Sequence, residues 1–318
     1  EQHLRPLRGT HLLFPEHVLP VDQAISFIHP TDHRAIFIIP WEGVVLVGTT
    51  DLDHEQDLAI EPATTAKEVL YLMDGLKALF PSFHITLKDC LSTMAGVRPV
   101  LSKGGREPSE ESREHMVWKD KGLITITGGK LTTFRKLALD ALKAAKPFLP
   151  PVKLSSDSDP VFNPLPEIPD QSFGLSRKAW LRLFGRYGIK AQELVRMSAP
   201  DLLKPIPGTH TLWAELPFAA RNEHIRHLTD LLLRRVRIGL LTPNYGKAYL
   251  GRVKKICRPY LPWSSKQWKR EINQYMVQCR QAHGLPLRIQ VTYAEQAPPI
   301  TNVKAFCTYY ARKLFSKA

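Results

Sequence analysis

Glycine and lysine stand together in residues 123–136, LITITGGKLTTFRK, where a β-branched run meets a helical pattern. Gly128 and Gly129 would let the backbone approach a ligand without a Cβ clash, and the free N–H groups at a helix start favour an anionic or carbonyl oxygen. Lys130 adds a positive charge at the same point. A P-loop is excluded, because its spacing needs glycine at position 124 and serine or threonine at 131. The stretch predicts either an anion or cofactor site or an ordinary strand-to-helix turn.

An arginine and a histidine are the next candidates. Arg98 lies in AGVRPV, after a predicted strand and before Pro99, where its guanidinium fork could hold a phosphate or a carboxylate through two parallel hydrogen bonds. The alternative is a surface or salt-bridge arginine. Arg113, in SREH, could add a second guanidinium. His11, in RGTH, lies on a short apolar run and is either a base or a structural histidine.

A mixed α and β first half must position these residues. Apolar and β-branched runs predict strands at residues 9–15, 35–40, 44–49, 90–97, 115–118 and 123–127. Residues 41–43 include a glycine and predict the turn of a hairpin. Apolar residues at helical spacing predict helices at 64–80 and 131–148, the first with a threonine N-cap and with Pro81 beyond its end.

The second half has a different pattern. Residues 147–171 contain seven prolines and the run SSDSD, which predicts a linker with little regular structure. Beyond it, apolar spacing predicts helices at 176–187, 191–198, 224–239, 245–257 and 264–283. The predicted fold class is therefore α+β, with an all-helical second part.

Composition restricts the class of protein. The 318 residues are 43% hydrophobic and 23% charged, as in globular proteins, and no apolar run approaches the roughly 18–20 residues that span a bilayer. The first residues do not have the pattern of a signal peptide. The four cysteines are widely separated and lack the paired spacing of zinc or iron–sulfur sites, so no metal is expected.

The net charge of +14 is concentrated near the C-terminal end. Residues 1–150 hold 17 Lys+Arg and 19 Asp+Glu, a net of −2, whereas residues 221–318 hold 19 and 4, a net of +15. A segment this basic either meets an anionic partner or forms a solvated surface. The candidate partners are an anionic membrane, nucleic acid and an acidic protein.

The motifs taken in order resemble a known family. The series GTHLLFP, IIPWEGVVLVGTTD, AGVRPV, SREH and LITITGGKLTTFRK is similar to the FAD-dependent glycerol-3-phosphate dehydrogenases, flavoenzymes of the D-amino-acid-oxidase-like fold. Residues 231–241, LLLRRVRIGLL, resemble the helical C-terminal domain of that family. The resemblance implies oxidation of sn-glycerol 3-phosphate to dihydroxyacetone phosphate, with hydride transfer to FAD and electrons passed to ubiquinone in the membrane. A glycerol-3-phosphate oxidase, in which oxygen accepts the electrons, is the alternative.

The resemblance also implies roles for individual residues. Arg98 and Arg113 would bind the substrate phosphate, and His11 would lie near the substrate hydroxyl as a general base. Lys130 would lie close to both the substrate and the flavin, where a cation favours the reduced cofactor. The FAD-binding set would be Gly128, Gly129, Lys130, Leu131 and Thr132.

One family motif is missing, because the dinucleotide fingerprint G-x-G-x-x-G does not occur in this sequence. The chain is therefore expected to be a C-terminal portion that lacks most of the FAD-binding domain, and that alone neither holds FAD tightly nor turns over. The expected division is a substrate-binding β-sheet region at 1–118, the last strand and helix of a discontinuous FAD-binding domain at 119–147, a linker at 148–171 and a basic helical domain at 172–318.

For the basic residues 221–318, the resemblance favours an anionic membrane surface. It implies a cytoplasmic enzyme held peripherally on the cytoplasmic face of the inner membrane. The alternative of another class is a helical nucleic-acid-binding module; nucleic acid is not expected, because the sequence shows no recognised DNA-binding spacing. A homodimer is left open, and residues 287–318 receive no role.

Overall fold

The computed structural model describes residues 3–102, 114–151, 156, 159–169 and 173–286. Its main sheet has six antiparallel strands: β1 (His3–Pro15), β2 (Ile25–Ile28), β3 (Ala35–Trp41), β4 (Val44–Gly48), β5 (Leu52–Asp53) and β6 (Ser92–Ser102). The order is β2-β3-β4-β1, and β6 pairs with β1 on its other edge. Strand β4 pairs with residues 11–15 of β1, and the short β5 pairs with residues 7 and 8 of the same strand.

Helix α1 (Ala66–Leu79) covers one face of this sheet, and its predicted start and end are confirmed. Thr65 caps the helix through a reciprocal capping box with Glu68, and the helix ends at Leu79, with Phe80 as its C-cap just before Pro81. Its apolar side packs against alternate residues of the strands. The buried helix residues include Val69, Leu72, Met73 and Leu76, and the buried strand residues include Leu12, Phe14, Ile36, Ile38, Val45 and Val47.

A second, smaller unit follows the main sheet. It consists of the hairpin β7 (His115–Asp120) and β8 (Leu123–Gly128) and of helix α2 (Phe134–Ala145). The predicted helix at 131–148 is shorter than expected, because single 3₁₀ turns flank α2 at both ends. No residue of α2 is buried. Strand β8 contacts β6, so this unit lies beside the main sheet.

The remaining helices are α3 (Arg177–Tyr187), α4 (Lys190–Arg196), α5 (Glu215–Asn222), α6 (Ile238–Leu241), α7 (Leu250–Cys257) and α8 (Ser265–His283). The predicted helices at 176–187, 191–198 and 264–283 are confirmed. Helix α5 has no counterpart among the predicted elements. Among the described residues, no helix combines the length and hydropathy that a membrane-crossing segment needs.

Two of the predicted helices were wrong in their extent. The single helix expected at 224–239 is a π-helical segment, Asp230–Arg235, followed by α6, because Arg237 adopts a left-handed conformation with φ 65° between them. The helix expected at 245–257 begins only at Leu250. Positive φ angles at Asn244, Tyr245 and Gly246 interrupt the helical path before it.

The helical part and the sheet share a hydrophobic core. Leu13 and Val44 lie on the sheet face opposite α1 and are fully buried in a cluster whose other members come mostly from the helical part. A network of ion pairs joins the same two parts: Arg182 lies 2.7 Å from Glu215 and donates across to Glu42 in the β3–β4 turn, also at 2.7 Å. The observed architecture confirms the predicted α+β class.

Candidate active site

Arg98 and His11 lie on the same face of the main sheet. In the β1–β6 pair, Leu7 is opposite Arg98 and His11 is opposite Met94. Opposite residues of antiparallel strands share a face, and alternate residues of one strand share it too. The prediction that Arg98 follows a strand was wrong, because β6 continues to Ser102.

Proline does not stop β6 at this point, since Pro99 is paired with Pro6 of β1. Neither residue has an N–H to donate. Facing residues at a non-hydrogen-bonded position of an antiparallel ladder need none, so the two prolines are accommodated together.

The guanidinium of Arg98 is held by the segment that follows β4. Its Nη1 donates to Asp51 Oδ1 at 2.6 Å. Its Nη2 donates to the Thr49 hydroxyl at 3.1 Å and to the Thr50 carbonyl at 3.4 Å. Asp51 is buried, whereas the Arg98 side chain is 33% exposed. The arginine is therefore fixed at its end and still reaches solvent.

Two glycines make room for these side chains. A Cβ at Gly9 would overlap the Arg98 guanidinium and would lie 2.6 Å from the Thr49 hydroxyl. A Cβ at Gly48 would lie 2.5 Å from Cδ2 of His11, which is its partner in the β1–β4 register. The glycines of GTH and VGTT are thus explained by close packing around the two candidate functional side chains.

His11 is partly buried beside this arginine. Burial and the positive charge of Arg98 lower the pKa of His11 from its usual 6.5 to about 4. Both effects disfavour the imidazolium. At neutral pH the ring is therefore uncharged and able to accept a proton.

A buried carboxylate supports the segment that holds Arg98. Glu68, at the start of α1, accepts hydrogen bonds from the hydroxyls of Thr10 and Thr50 at 2.9 and 2.8 Å. It also lies 3.1 Å from Arg8. Burial alone would raise the pKa of Glu68, but its hydrogen bonds to Thr65 and Thr50 and the charge of Arg8 hold that pKa below its usual value. Through Glu68, α1, β1 and the segment after β4 are connected.

The glycine-rich stretch lies on β8 and the turn after it. Gly128 and Gly129 have φ angles of 76° and 79°, which glycine adopts without strain. The Lys130 N–H is taken by the Thr133 hydroxyl at 3.2 Å, while the Lys130 and Leu131 side chains are exposed. Arg113 lies outside the described residues.

The structure therefore brings together two of the predicted site residues, Arg98 and His11, and places the glycine-rich stretch on an adjacent unit. Sequence reasoning missed Asp51 and Thr49. Their signal was present, since the run GTTD stands at the end of the strand predicted at 44–49. Within the described part of the chain, no three His, Cys, Asp or Glu side chains are grouped as metal ligands.

The sheet face beside Arg98 leaves room for a bound group. A Cβ built on Gly96, which faces Gly9 across the β1–β6 pair, meets no atom within 4 Å. The sheet is thus open next to Arg98. On the adjacent unit, the exposed Lys130 offers a positive charge, and the left-handed backbone of the two glycines brings no Cβ into the path of a ligand.

Comparisons with known proteins show what the chain is similar to. Residues 163–268 match a family model described as the C-terminal domain of alpha-glycerophosphate oxidase. Glycerol-3-phosphate dehydrogenase 2 of Mycobacterium bovis is 32% identical over 313 residues, covering 93% of this chain and 51% of that protein. Aerobic glycerol-3-phosphate dehydrogenase of Staphylococcus haemolyticus is 33% identical over 254 residues, and the match covers 74% of this chain and 45% of that protein.

A solved structure shares the fold. The glycerol-3-phosphate dehydrogenase from Bacillus halodurans, complexed with FAD, superposes with a TM-score of 0.65 at 23% identity. The match covers 93% of this chain and 59% of that one. The chain thus spans about half the length of the relatives that it matches.

Proposed function

Because the chain is a homologue of glycerol-3-phosphate dehydrogenases over nearly its whole length, we propose that it forms the substrate-binding face of an enzyme that oxidises sn-glycerol 3-phosphate to dihydroxyacetone phosphate. The observation that carries this proposal is the placement of Arg98 beside His11 on one open sheet face. A fixed guanidinium and a neutral imidazole are the two groups that binding and deprotonating a phosphorylated alcohol require.

Arg98 binds the phosphate in this proposal. Its side chain is partly exposed and its positive charge is held at a defined point above the sheet. A phosphate dianion gains charge-assisted hydrogen bonds there, which are stronger than those between neutral groups. Arg113 is proposed as the second guanidinium.

His11 accepts the proton of the C2 hydroxyl. Its lowered pKa keeps the imidazole neutral through the physiological range, so the base needs no prior deprotonation. The same low pKa makes His11 a weak base, and its role is to receive the proton as the C2–H bond breaks. Arg98 favours this geometry by holding the phosphate end of the substrate.

FAD, when bound, would supply the two-electron acceptor for the hydrogen at C2. The chain residues proposed to hold it are Gly128, Gly129, Lys130, Leu131 and Thr132. The two glycines allow close approach of the ligand to the backbone. Lys130, whose side chain is exposed, contributes positive charge. The region that completes the FAD site is proposed to pack on α2, whose residues are not buried by the described chain.

The electron acceptor is proposed to be ubiquinone, with the enzyme peripheral on the cytoplasmic face of the inner membrane and residues 221–318 as the surface that meets anionic lipid. The support for this location is the charge of +15 in that segment. The description of the matching C-terminal domain favours the second candidate, an oxidase that transfers the electrons to oxygen. Formation of peroxide during turnover separates the two.

The test measures binding of glycerol 3-phosphate to the 318-residue chain by calorimetry at pH 7.5. Arg98→Gln is expected to weaken binding about tenfold or more, because it removes charge-assisted hydrogen bonds that contribute roughly 1.5–3 kcal/mol. Arg270→Gln, an exposed arginine on α8, is the matched control and leaves binding unchanged. Equal affinity in the wild type and Arg98→Gln, or no binding to the wild type, would overturn the proposed phosphate site.

A further inference from the structure

Asp51 is a buried carboxylate between two arginines. It is 4% exposed, lies 2.6 Å from Arg98 and 3.5 Å from Arg34, and its own carbonyl accepts a hydrogen bond from Arg34 at 3.3 Å. A buried charge needs close partners to offset its lost hydration. Two guanidiniums meet that need, and together they fix the place of the carboxylate.

The segment around Asp51 is itself held in place. The Thr10 N–H donates to the Thr50 hydroxyl at 3.0 Å, and that hydroxyl donates to the buried Glu68 at 2.8 Å. Thr49, one residue earlier, presents its hydroxyl to Arg98. The contacts to Arg98 therefore come from a backbone that is attached to β1 on one side and to α1 on the other.

The space above Gly9 completes the arrangement. The Arg98 guanidinium occupies the volume that a side chain at residue 9 would fill. Its two terminal nitrogens are bonded to Asp51 and Thr49, so the end of the side chain has one orientation in the described structure.

We propose that Thr49 and Asp51 are positioning residues for Arg98, which orient its guanidinium above Gly9 and thereby set the affinity of the site for the phosphate of glycerol 3-phosphate. The inference rests on the proposed function. An arginine loses much rotamer freedom when it binds a ligand, and an arginine that is already ordered loses less. Part of the affinity of the site then resides in two residues that the ligand need not touch.

The first measurement needs no ligand. Rotation of the Arg98 guanidinium is followed by ¹⁵N NMR of its Nη–H groups in the 318-residue chain. Slow rotation is expected in the wild type, and fast rotation in Thr49→Val and Gly9→Ala, neither of which changes the net charge. Thr49→Ser keeps the hydroxyl and restores slow rotation. Gly96→Ala is the matched control for Gly9→Ala, because its new methyl group meets open space.

The second measurement is the dissociation constant for glycerol 3-phosphate. Thr49→Val and Gly9→Ala are expected to raise it about fivefold or more, and Thr49→Ser is expected to leave it near the wild-type value. If Gly9→Ala does not fold, Asp51→Glu replaces it, since that change keeps the charge and moves the carboxylate by one methylene.

The outcomes separate the two hypotheses. Slow rotation in Thr49→Val, or fast rotation with an unchanged dissociation constant, would overturn the positioning role. If the wild type binds no glycerol 3-phosphate, the proposed function fails, and the rotation measurement, repeated with Asp51→Glu, then decides whether Thr49 and Asp51 orient Arg98. A role confined to stability would change the melting temperature of Thr49→Val and leave both readouts as in the wild type.

Discussion

At the scale of single residues, the Glu68 side chain connects three parts of the fold. One carboxylate contacts β1 through Thr10 and Arg8, the segment after β4 through Thr50, and the first turn of its own helix through Thr65. Both oxygens of this carboxylate accept hydrogen bonds from donors that are themselves buried or partly buried. Loss of the carboxylate would leave several donors without an acceptor.

Glu68→Gln is expected to lower the free energy of unfolding by about 2–4 kcal/mol, because it removes a buried charge that Arg8 and three hydroxyls satisfy. Urea unfolding at pH 7.5 measures the change. Asp53→Asn is the control: its partner Arg5 is 2.6 Å away, but the pair lies at the surface, so its removal should cost under about 1 kcal/mol. Similar losses in both variants would contradict the role given to Glu68.

His11 makes stability depend on pH in a defined window. Its pKa is lowered to about 4 in the folded chain from 6.5, so between these values the unfolded chain binds more protons. Stability from this group is fully present above pH 6.5 and falls as the pH drops toward 4. Between pH 7 and pH 4.5, the free energy of unfolding of His11→Gln, measured in urea, should fall by about 1–3 kcal/mol less than that of the wild type. Parallel pH profiles of the two proteins would refute the assignment.

At the scale of elements, local signals explain what was predictable. The threonine N-cap and Pro81 mark the two ends of α1, and the Glu42–Gly43 turn has the positive φ angles of a tight hairpin. The break at Arg237 was not predictable, because a left-handed arginine follows from tertiary packing and not from local preference. Its guanidinium lies over the ring of Trp41, 5.6 Å from the centroid, in the sheet part of the chain.

The same contrast applies to the site. Arg98 was found because AGVRP carries a visible chemical pattern. The pairing of Arg98 with Asp51, and the fit of its guanidinium above Gly9, depend on strand register, and spacing along one chain does not give the register of strands.

Helix α2 differs from α1 in what covers it. Leu142 on α2 is 42% exposed, whereas Leu72 on α1 is fully buried. Leu72→Ala should cost about 2–5 kcal/mol of unfolding free energy, and Leu142→Ala less than about 1 kcal/mol. Urea unfolding of the two variants in the 318-residue chain provides the comparison. A large loss for Leu142→Ala would show that α2 is already packed, and would contradict the proposal that another region covers it.

At the scale of the whole molecule, charge and chemistry lie apart. The first 150 residues are nearly neutral, and the basic surplus follows the helical part. Arg182 and Arg186, which precede the basic residues 221–318, pair internally with Glu42 and Glu215. Lysines of the later helices, such as Lys254 and Lys266, remain at or near the surface.

The chain is expected to co-sediment with vesicles that contain anionic lipid and not with neutral vesicles. Each lysine or arginine near such a surface contributes about 1 kcal/mol, and salt screens the attraction. Raising the salt concentration from 0.05 to 0.5 M should therefore release the chain. No mobility shift with nucleic acid is expected across the same salt series. A shift without vesicle binding would favour the nucleic-acid alternative. Binding to neither vesicles nor nucleic acid would identify a solvated surface.

Strand β1 gives its even-numbered side chains, such as Leu12, to the core under α1, and its odd-numbered Leu13 to the core of the helices. The core-facing residues of the two halves of the chain must consequently fit each other. A recombinant that joins the sheet of one relative to the helices of another, cut within the proline-rich residues 148–171, would bring together two core surfaces that never adapted to each other. Substitutions at Leu13 and Val44 should therefore accompany changes in the helices more closely than changes in their own sheet.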